Sequence, residues 1–126
     1  MGKRILVVDD EAVVLESVKK ALKGMDCLID TAADAAETQA LLSQTEYDLV
    51  ITDLMMPRLD GLELLERLRE MQVPARIILL TGHPALETAE QARRRGAFDL
   101  VTKPFTRQEL ASVVAAALKA APRHGK

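Results

Sequence analysis

Five short apolar runs, each followed by a segment of helical periodicity, constrain this chain more than any other feature. They are ILVV at 5–8, CLIDT at 27–31, LVIT at 49–52, IILL at 77–80 and LVT at 100–102. Each is too short for a helix, and the β-branched residues suit strands buried on both faces. Between them Val14, Val18 and Leu22 recur at helical spacing, as do Leu62, Leu65 and Leu68, and later Leu110, Val113, Val114, Ala117 and Leu118. Strand then helix, repeated with short connections, predicts an α/β domain on a parallel sheet covered on both faces. Asp30 interrupts the second run and the fifth is short, so those two belong at the edges. The resulting order, 2-1-3-4-5, is the flavodoxin-like (βα)5 doubly wound arrangement, with its switch point between strands one and three.

Local punctuation supports this division. The helical segments are expected over 12–23, from Asp34 through Leu42, over 61–71, over 85–95 and from Thr106 toward Pro122. Gly24 and Gly96 serve as stops for two of them, and Asp34 with Glu37 and Thr106 with Glu109 form capping boxes. Residues 85–95 have little beyond Leu86 to bury, which makes that helix the element readiest to move. Arg93, Arg94 and Arg95 read as a solvated helix end. The 126 residues suffice for one domain, placed at 1–121, with 122–126 a polar tail or linker stub. A net charge of -2 gives no general attraction to nucleic acid or to an anionic membrane. No apolar run approaches the roughly 18 residues of a membrane span, and no signal-peptide pattern precedes the first strand, so a cytoplasmic location is expected. The lone Cys27 allows no intrachain disulfide and reads as a small buried residue.

The strand ends carry the chemistry. Asp9 and Asp10 follow the first strand, the third delivers Asp53, the fourth ends in Thr81 and the fifth runs into Lys103. Ligands of open α/β sheets bind at that carboxyl edge. Three carboxylates in one crevice repel one another and call for a cation, and oxygen ligands suit Mg²⁺. Lys103 adds a fixed positive charge for a phosphoryl oxygen, and Thr81 a hydroxyl donor. Such a set suits phosphoryl transfer to a carboxylate nucleophile, where positioning and charge neutralisation provide most of the catalysis. Asp60, beside Gly61, reads as a turn and helix-cap residue, and Pro57 as a stop to the sheet ladder.

VVDDE after the first strand, DLVITDLMMPRLDG around the third, LLTGH at the fourth and LVTKPF at the fifth resemble the receiver domain of bacterial two-component response regulators. The resemblance covers residues 4–121. It implies that Asp53 accepts a phosphoryl group from a phosphohistidine on a sensor histidine kinase or phosphotransfer protein. It also implies that Asp10, Asp53 and the backbone carbonyl of Met55 hold Mg²⁺, with Asp9 acting through a water. Thr81 and Lys103 would meet the new phosphoryl group, and the Lys103-Pro104 peptide would be cis. Such a domain is not an enzyme in the ordinary sense: it catalyses its own Mg²⁺-dependent phosphorylation and dephosphorylation. The change is relayed to the face of helix 4, strand 5 and helix 5, through which a homodimer is also admitted. The domain itself would bind neither nucleic acid nor membrane.

Two departures stand out. Many receivers carry Tyr or Phe three residues before the lysine, where this chain has Leu100; Phe98, two positions earlier, reads either as a substitute for that ring or, more simply, as core packing. Leu100 is expected to repack without a large rotamer swing, giving a smaller change on the output face. Met55 and His83 occupy positions that in the family influence how readily water attacks the acyl phosphate, and His83 can change charge near neutrality. Among alternatives, a phosphatase of the haloacid dehalogenase type expects a second Asp where this chain has Met55. An FMN binder needs a loop of backbone donors where Asp9, Asp10 and Glu11 would repel phosphate. A docking module with a degenerate site would have lost charged or hydroxyl members that are all present here.

Overall fold

The computed structural model describes residues 2–53, 55–56, 59–70, 75–82 and 89–119. Its elements are β1 (Lys3–Val8), α1 (Ala12–Ala21), β2 (Cys27–Ala32), α2 (Ala35–Gln44), β3 (Leu49–Asp53), β4 (Met55–Met56), β5 (Leu59–Asp60), α3 (Gly61–Glu70), β6 (Arg76–Thr81), α4 (Ala89–Arg94), β7 (Asp99–Thr102) and α5 (Arg107–Lys119). The main sheet has the order β2-β1-β3-β6-β7. All four pairings are parallel, so its strands alone run 2-1-3-4-5 as the sequence predicts.

Alternation along the central strands creates two cores. Leu6, Val8, Val50, Ile77 and Leu79 face Leu41 and Leu42 of α2, Leu68 of α3 and Ala92 of α4. Ile5, Val7, Leu49, Ile51, Ile78 and Leu80 face Val18 and Ala21 of α1 and Leu110, Val114 and Ala117 of α5. Every one of these central-strand side chains is fully buried. Each contributes roughly 1.5–3 kcal/mol relative to exposure, which is why apolar strands with no polar face appear only in the middle of the sheet.

Register aligns the chemistry. Val8 pairs with Thr52, Asp53 with Leu80, and Thr81 with Thr102, so the strands end at one level. The Asp9 amide donates to the carbonyl of Ala32 at 3.1 Å and the Lys103 amide to that of Thr81 at 2.6 Å, which extends the ladder into the site.

Several local expectations change in detail. Helix α1 ends at Ala21, two residues before 23: the Leu22 backbone leaves helical geometry while its side chain stays buried. Gly24, at φ +95°, therefore lies in the turn beyond the cap, whereas Gly96, at φ +109°, follows α4 closely as expected. The Thr106 hydroxyl accepts from the Glu109 amide and Glu109 accepts from the Thr106 amide, a complete capping box. At α2 the Glu37 amide donates to Asp34 at 2.8 Å, but Glu37 accepts from Ala33 rather than from the cap residue itself. Cys27 is half-buried, not buried, because edge strand β2 packs it against one core only. After Asp53 the chain forms the small antiparallel pair β4–β5, where Asp60 sits opposite Met55 directly before α3. Pro57, the start of the 85–95 helix and the 122–126 tail lie outside the described residues. Arg93 and Arg94 pair at the surface with Asp99 and Glu90, as a solvated helix end should.

Candidate functional site

The predicted residues meet at the carboxyl edge of β1, β3, β6 and β7. Asp9 is fully buried and Asp53 nearly so, while Asp10 is exposed at the rim. Each of the three offers a carboxylate oxygen within 4.8 Å of the other two. Lys103 reaches over from the end of β7, its Nζ 3.0 Å from Oδ2 of Asp53 and 3.6 Å from Oδ2 of Asp9. Thr81 is buried at the tip of β6 and shares one cavity with Asp10, Asp53 and Lys103. The Lys103-Pro104 peptide is cis, as the resemblance implies.

Among the described residues one ammonium, that of Lys103, faces the three carboxylates. Burial is the main reason that the Asp9 carboxyl is held above its ordinary range. The Glu11 amide, which Asp9 Oδ1 accepts at 2.9 Å, and the charge of Lys103 oppose that shift, while Asp53 and Asp10 reinforce it. Burial alone would lower the Lys103 ammonium. The hydrogen bond to Asp53 and the attraction of Asp9, Asp53 and Glu11 outweigh it, so Lys103 is raised and stays charged. Among the described residues Oδ2 of Asp9 is buried without a hydrogen-bond partner, its contact with Lys103 being the longer 3.6 Å ion pair. An unsatisfied carboxylate oxygen, oxygen donors at short mutual range and an excess of negative charge together fit a hard divalent cation such as Mg²⁺.

The outlying candidates separate clearly. Met55 lies two residues past Asp53 at the start of β4, and His83 lies outside the described residues. Leu100 is half-buried against the core beneath α2, α3 and α4. Phe98 packs into the opposite core, with the Arg76 guanidinium 5.6 Å from its ring centre. It precedes β7, so the alternation of the strand does not carry it to the face of Leu100. Phe98 therefore packs on the opposite side of the sheet from Leu100.

Two contributors are hidden in the sequence pattern. Glu11 acts through its backbone amide, which any residue supplies. Val13 is 77% exposed on the cavity rim beside Pro104 and Phe105. Its only sequence signal is that it falls one step off the buried stripe of Val14 and Val18.

The fold and the site define a doubly wound α/β domain with an acidic trio and one lysine at its switch point. The chain belongs to the response regulator receiver domain family, whose profile matches residues 5–115. The response regulator MprA of Mycobacterium sp. (strain KMS) is 36% identical over 119 residues, which is 94% of this chain and 52% of MprA. The DNA-binding transcriptional regulator NtrC of Azospirillum brasilense is 36% identical over 114 residues, covering 90% of this chain and 24% of NtrC. The chain thus spans about half or less of these curated relatives. A response regulator receiver domain protein from Clostridium thermocellum superposes with a TM-score of 0.81 at 33% identity, covering 92% of this chain and 94% of that one. The domain is the receiver of a response regulator, consistent with a phosphorylation-activated switch. Among the described residues no helix is long and apolar enough to cross a membrane.

Proposed function

We propose that Asp53 accepts a phosphoryl group from a phosphohistidine of a sensor histidine kinase or phosphotransfer protein. A carboxylate oxygen of Asp53 forms the new bond to phosphorus as the phosphorus–nitrogen bond breaks. The electron pair leaves with the imidazole, which then takes up a proton. The observation that carries this reading is the placement of Lys103 Nζ at 3.0 Å from Asp53, beside the acidic trio. Lys103 stands where it can neutralise charge on a transferred phosphoryl oxygen, and the Thr81 hydroxyl borders the same cavity. Asp10, Asp53 and the Met55 carbonyl would hold Mg²⁺, with Asp9 acting through a water. When bound, the ion supplies charge neutralisation of phosphoryl oxygens. Asp9, anchored by the Glu11 amide, keeps a second carboxylate beside Asp53.

Phosphoryl contacts to Thr81 and Lys103 then favour one arrangement of the adjoining loops, read out on the face of α4, β7 and α5. Leu100, Pro104 and Val113 line a shallow groove there, the surface through which a phosphorylated pair would associate. With Leu100 in place of an aromatic ring, that face changes less than the site itself. Amide chemical shifts that moved as widely there as around Asp53 would refute this. The unit responsible is residues 1–121; NtrC, of which this chain spans 24%, is named a DNA-binding transcriptional regulator. The test is direct. With Mg²⁺ and a small-molecule phosphodonor, intact mass should show one acid-stable, base-labile phosphoryl adduct, which Asp53→Asn abolishes.

A further inference from the structure

Helix α4 is tied down at its C-terminal end. The last turn closes in a complete Schellman arrangement: the Gly96 amide donates to the carbonyl of Arg93 at 3.1 Å, and the Ala97 amide to that of Ala92 at 3.0 Å. The carbonyl of Arg95 is taken by another helix. Nη1 of Arg69, in the last turn of α3, donates to it at 2.8 Å. A guanidinium placed there also meets the negative end of the α4 dipole. Gly96 makes the approach possible, since a Cβ at that position would stand 3.1 Å from Cδ and 3.4 Å from Nε of Arg69. On the other side Arg93 ties the same turn to β7, through Asp99 at 3.1 Å. Among the described α4 side chains Ala92 is the buried one, so burial alone would anchor this helix weakly.

We infer that Arg69 is a positioning residue of the switch, clasping the C-terminal end of α4 to α3 so that the helix pivots about that end. This rests on the phosphorylation reading and adds to it the manner in which α4 responds. Thr81 ends β6 in the site, and the chain passes from there into α4. A rearrangement around Thr81 therefore reaches the start of the helix before its last turn. With that last turn held by Arg69, by Asp99 and by the buried Ala92 and Ala97, displacement is largest at the start and becomes a change of tilt. A helix without the clasp would shift along its whole length and lose its register against β7. Gly96 thus serves twice, once for its positive φ and once for the space it leaves to Arg69.

The experiment is amide hydrogen exchange and amide chemical shifts, residue by residue, on wild type, Arg69→Met and Arg67→Met, before and after reaction with Mg²⁺ and a small-molecule phosphodonor. Arg69→Met removes the donor and keeps most of the stem, while Arg67→Met removes an equal charge from the same turn of α3. Before phosphorylation the amides of Arg95, Gly96 and Ala97 should exchange about fivefold faster in Arg69→Met than in wild type, and within about twofold of wild type in Arg67→Met. On phosphorylation the shifts of Glu90 and Gln91 should move in wild type while those of residues 95–97 stay in place; in Arg69→Met both sets should move. Exchange at 95–97 that stays within about twofold of wild type in Arg69→Met, or that rises equally in Arg67→Met, overturns the clasp. Wild-type shifts at 95–97 that move as widely as those of Glu90 and Gln91 overturn the pivot. Absence of any phosphoryl adduct overturns the switch and the pivot with it, and the exchange rates before phosphorylation then decide the clasp by themselves.

Discussion

Replacing Tyr47 by phenylalanine removes one hydroxyl that ties edge strand β2 to the rest of the domain. The side chain is 3% exposed in the core beneath α2, and its hydroxyl donates to Asp30 Oδ2 at 2.6 Å. A hydrogen bond to a charged acceptor contributes about 1.5–3 kcal/mol. Asp30, however, is partly exposed and lies 3.6 Å from Arg4, so water and the guanidinium can take up the freed oxygen. Tyr47→Phe should therefore cost about 1 kcal/mol at neutral pH. Burial first, then the hydrogen bond and charge of Asp30, push the Tyr47 phenol from 10.0 up to about 12. A folded-state value raised above the unfolded one stabilises fully below the unfolded value, and that stability is lost as pH rises through the folded one. Over this window the loss reaches about 2.7 kcal/mol, of which about 1.4 kcal/mol is gone by about pH 11. Every other titrating group is common to both proteins, so the difference isolates Tyr47. Urea unfolding should show the advantage of wild type holding to about pH 10, then shrinking and vanishing near pH 11. A gap that stayed constant across that range would refute the reasoning.

Other perturbations test other parts of the account. Thr106→Ala removes the side-chain cap of α5 and should cost about 1 kcal/mol in chemical denaturation. Gly96→Ala and Gly24→Ala should each cost about 1–2 kcal/mol, since both glycines have positive φ. Gly96→Ala should be the worse of the two in thermal unfolding, because its Cβ would come 3.1 Å from Cδ of Arg69 while that of Gly24 meets nothing within 4 Å. Asp9→Asn keeps the acceptor for the Glu11 amide and removes a carboxylate whose charged form is disfavoured by burial. It should stabilise the metal-free protein at neutral pH, by an amount that fades as acid protonates Asp9 in wild type, and it should weaken stabilisation by Mg²⁺.

The order of the sheet was legible because burial on both faces leaves a plain mark: strands without polar residues belong in the middle, and Asp30 marks an edge. The site was legible for a related reason. Its residues follow the apolar runs directly, so finding where each strand ends also finds Asp9, Asp53, Thr81 and Lys103. Less visible were features that depend on where the backbone turns. Leu22 continues the apolar period of α1 although the helix has already ended, so periodicity overran it. Phe98 shares parity with Leu100, but parity holds only within a strand, and β7 begins at Asp99. Glu11 contributes a backbone amide and Val13 an outward side chain, and neither leaves a residue-type signal.

The central claim is that Asp53 is the phosphoacceptor. The measurement that tests it most directly is peptide-level mass spectrometry of the protein after reaction with Mg²⁺ and a small-molecule phosphodonor, with borohydride reduction to mark the acyl phosphate. A single reduced residue is expected at Asp53, absent when Mg²⁺ is withheld and absent in Asp53→Asn. Labelling at Asp9 or Asp10 in wild type, or an undiminished adduct in Asp53→Asn, would contradict it.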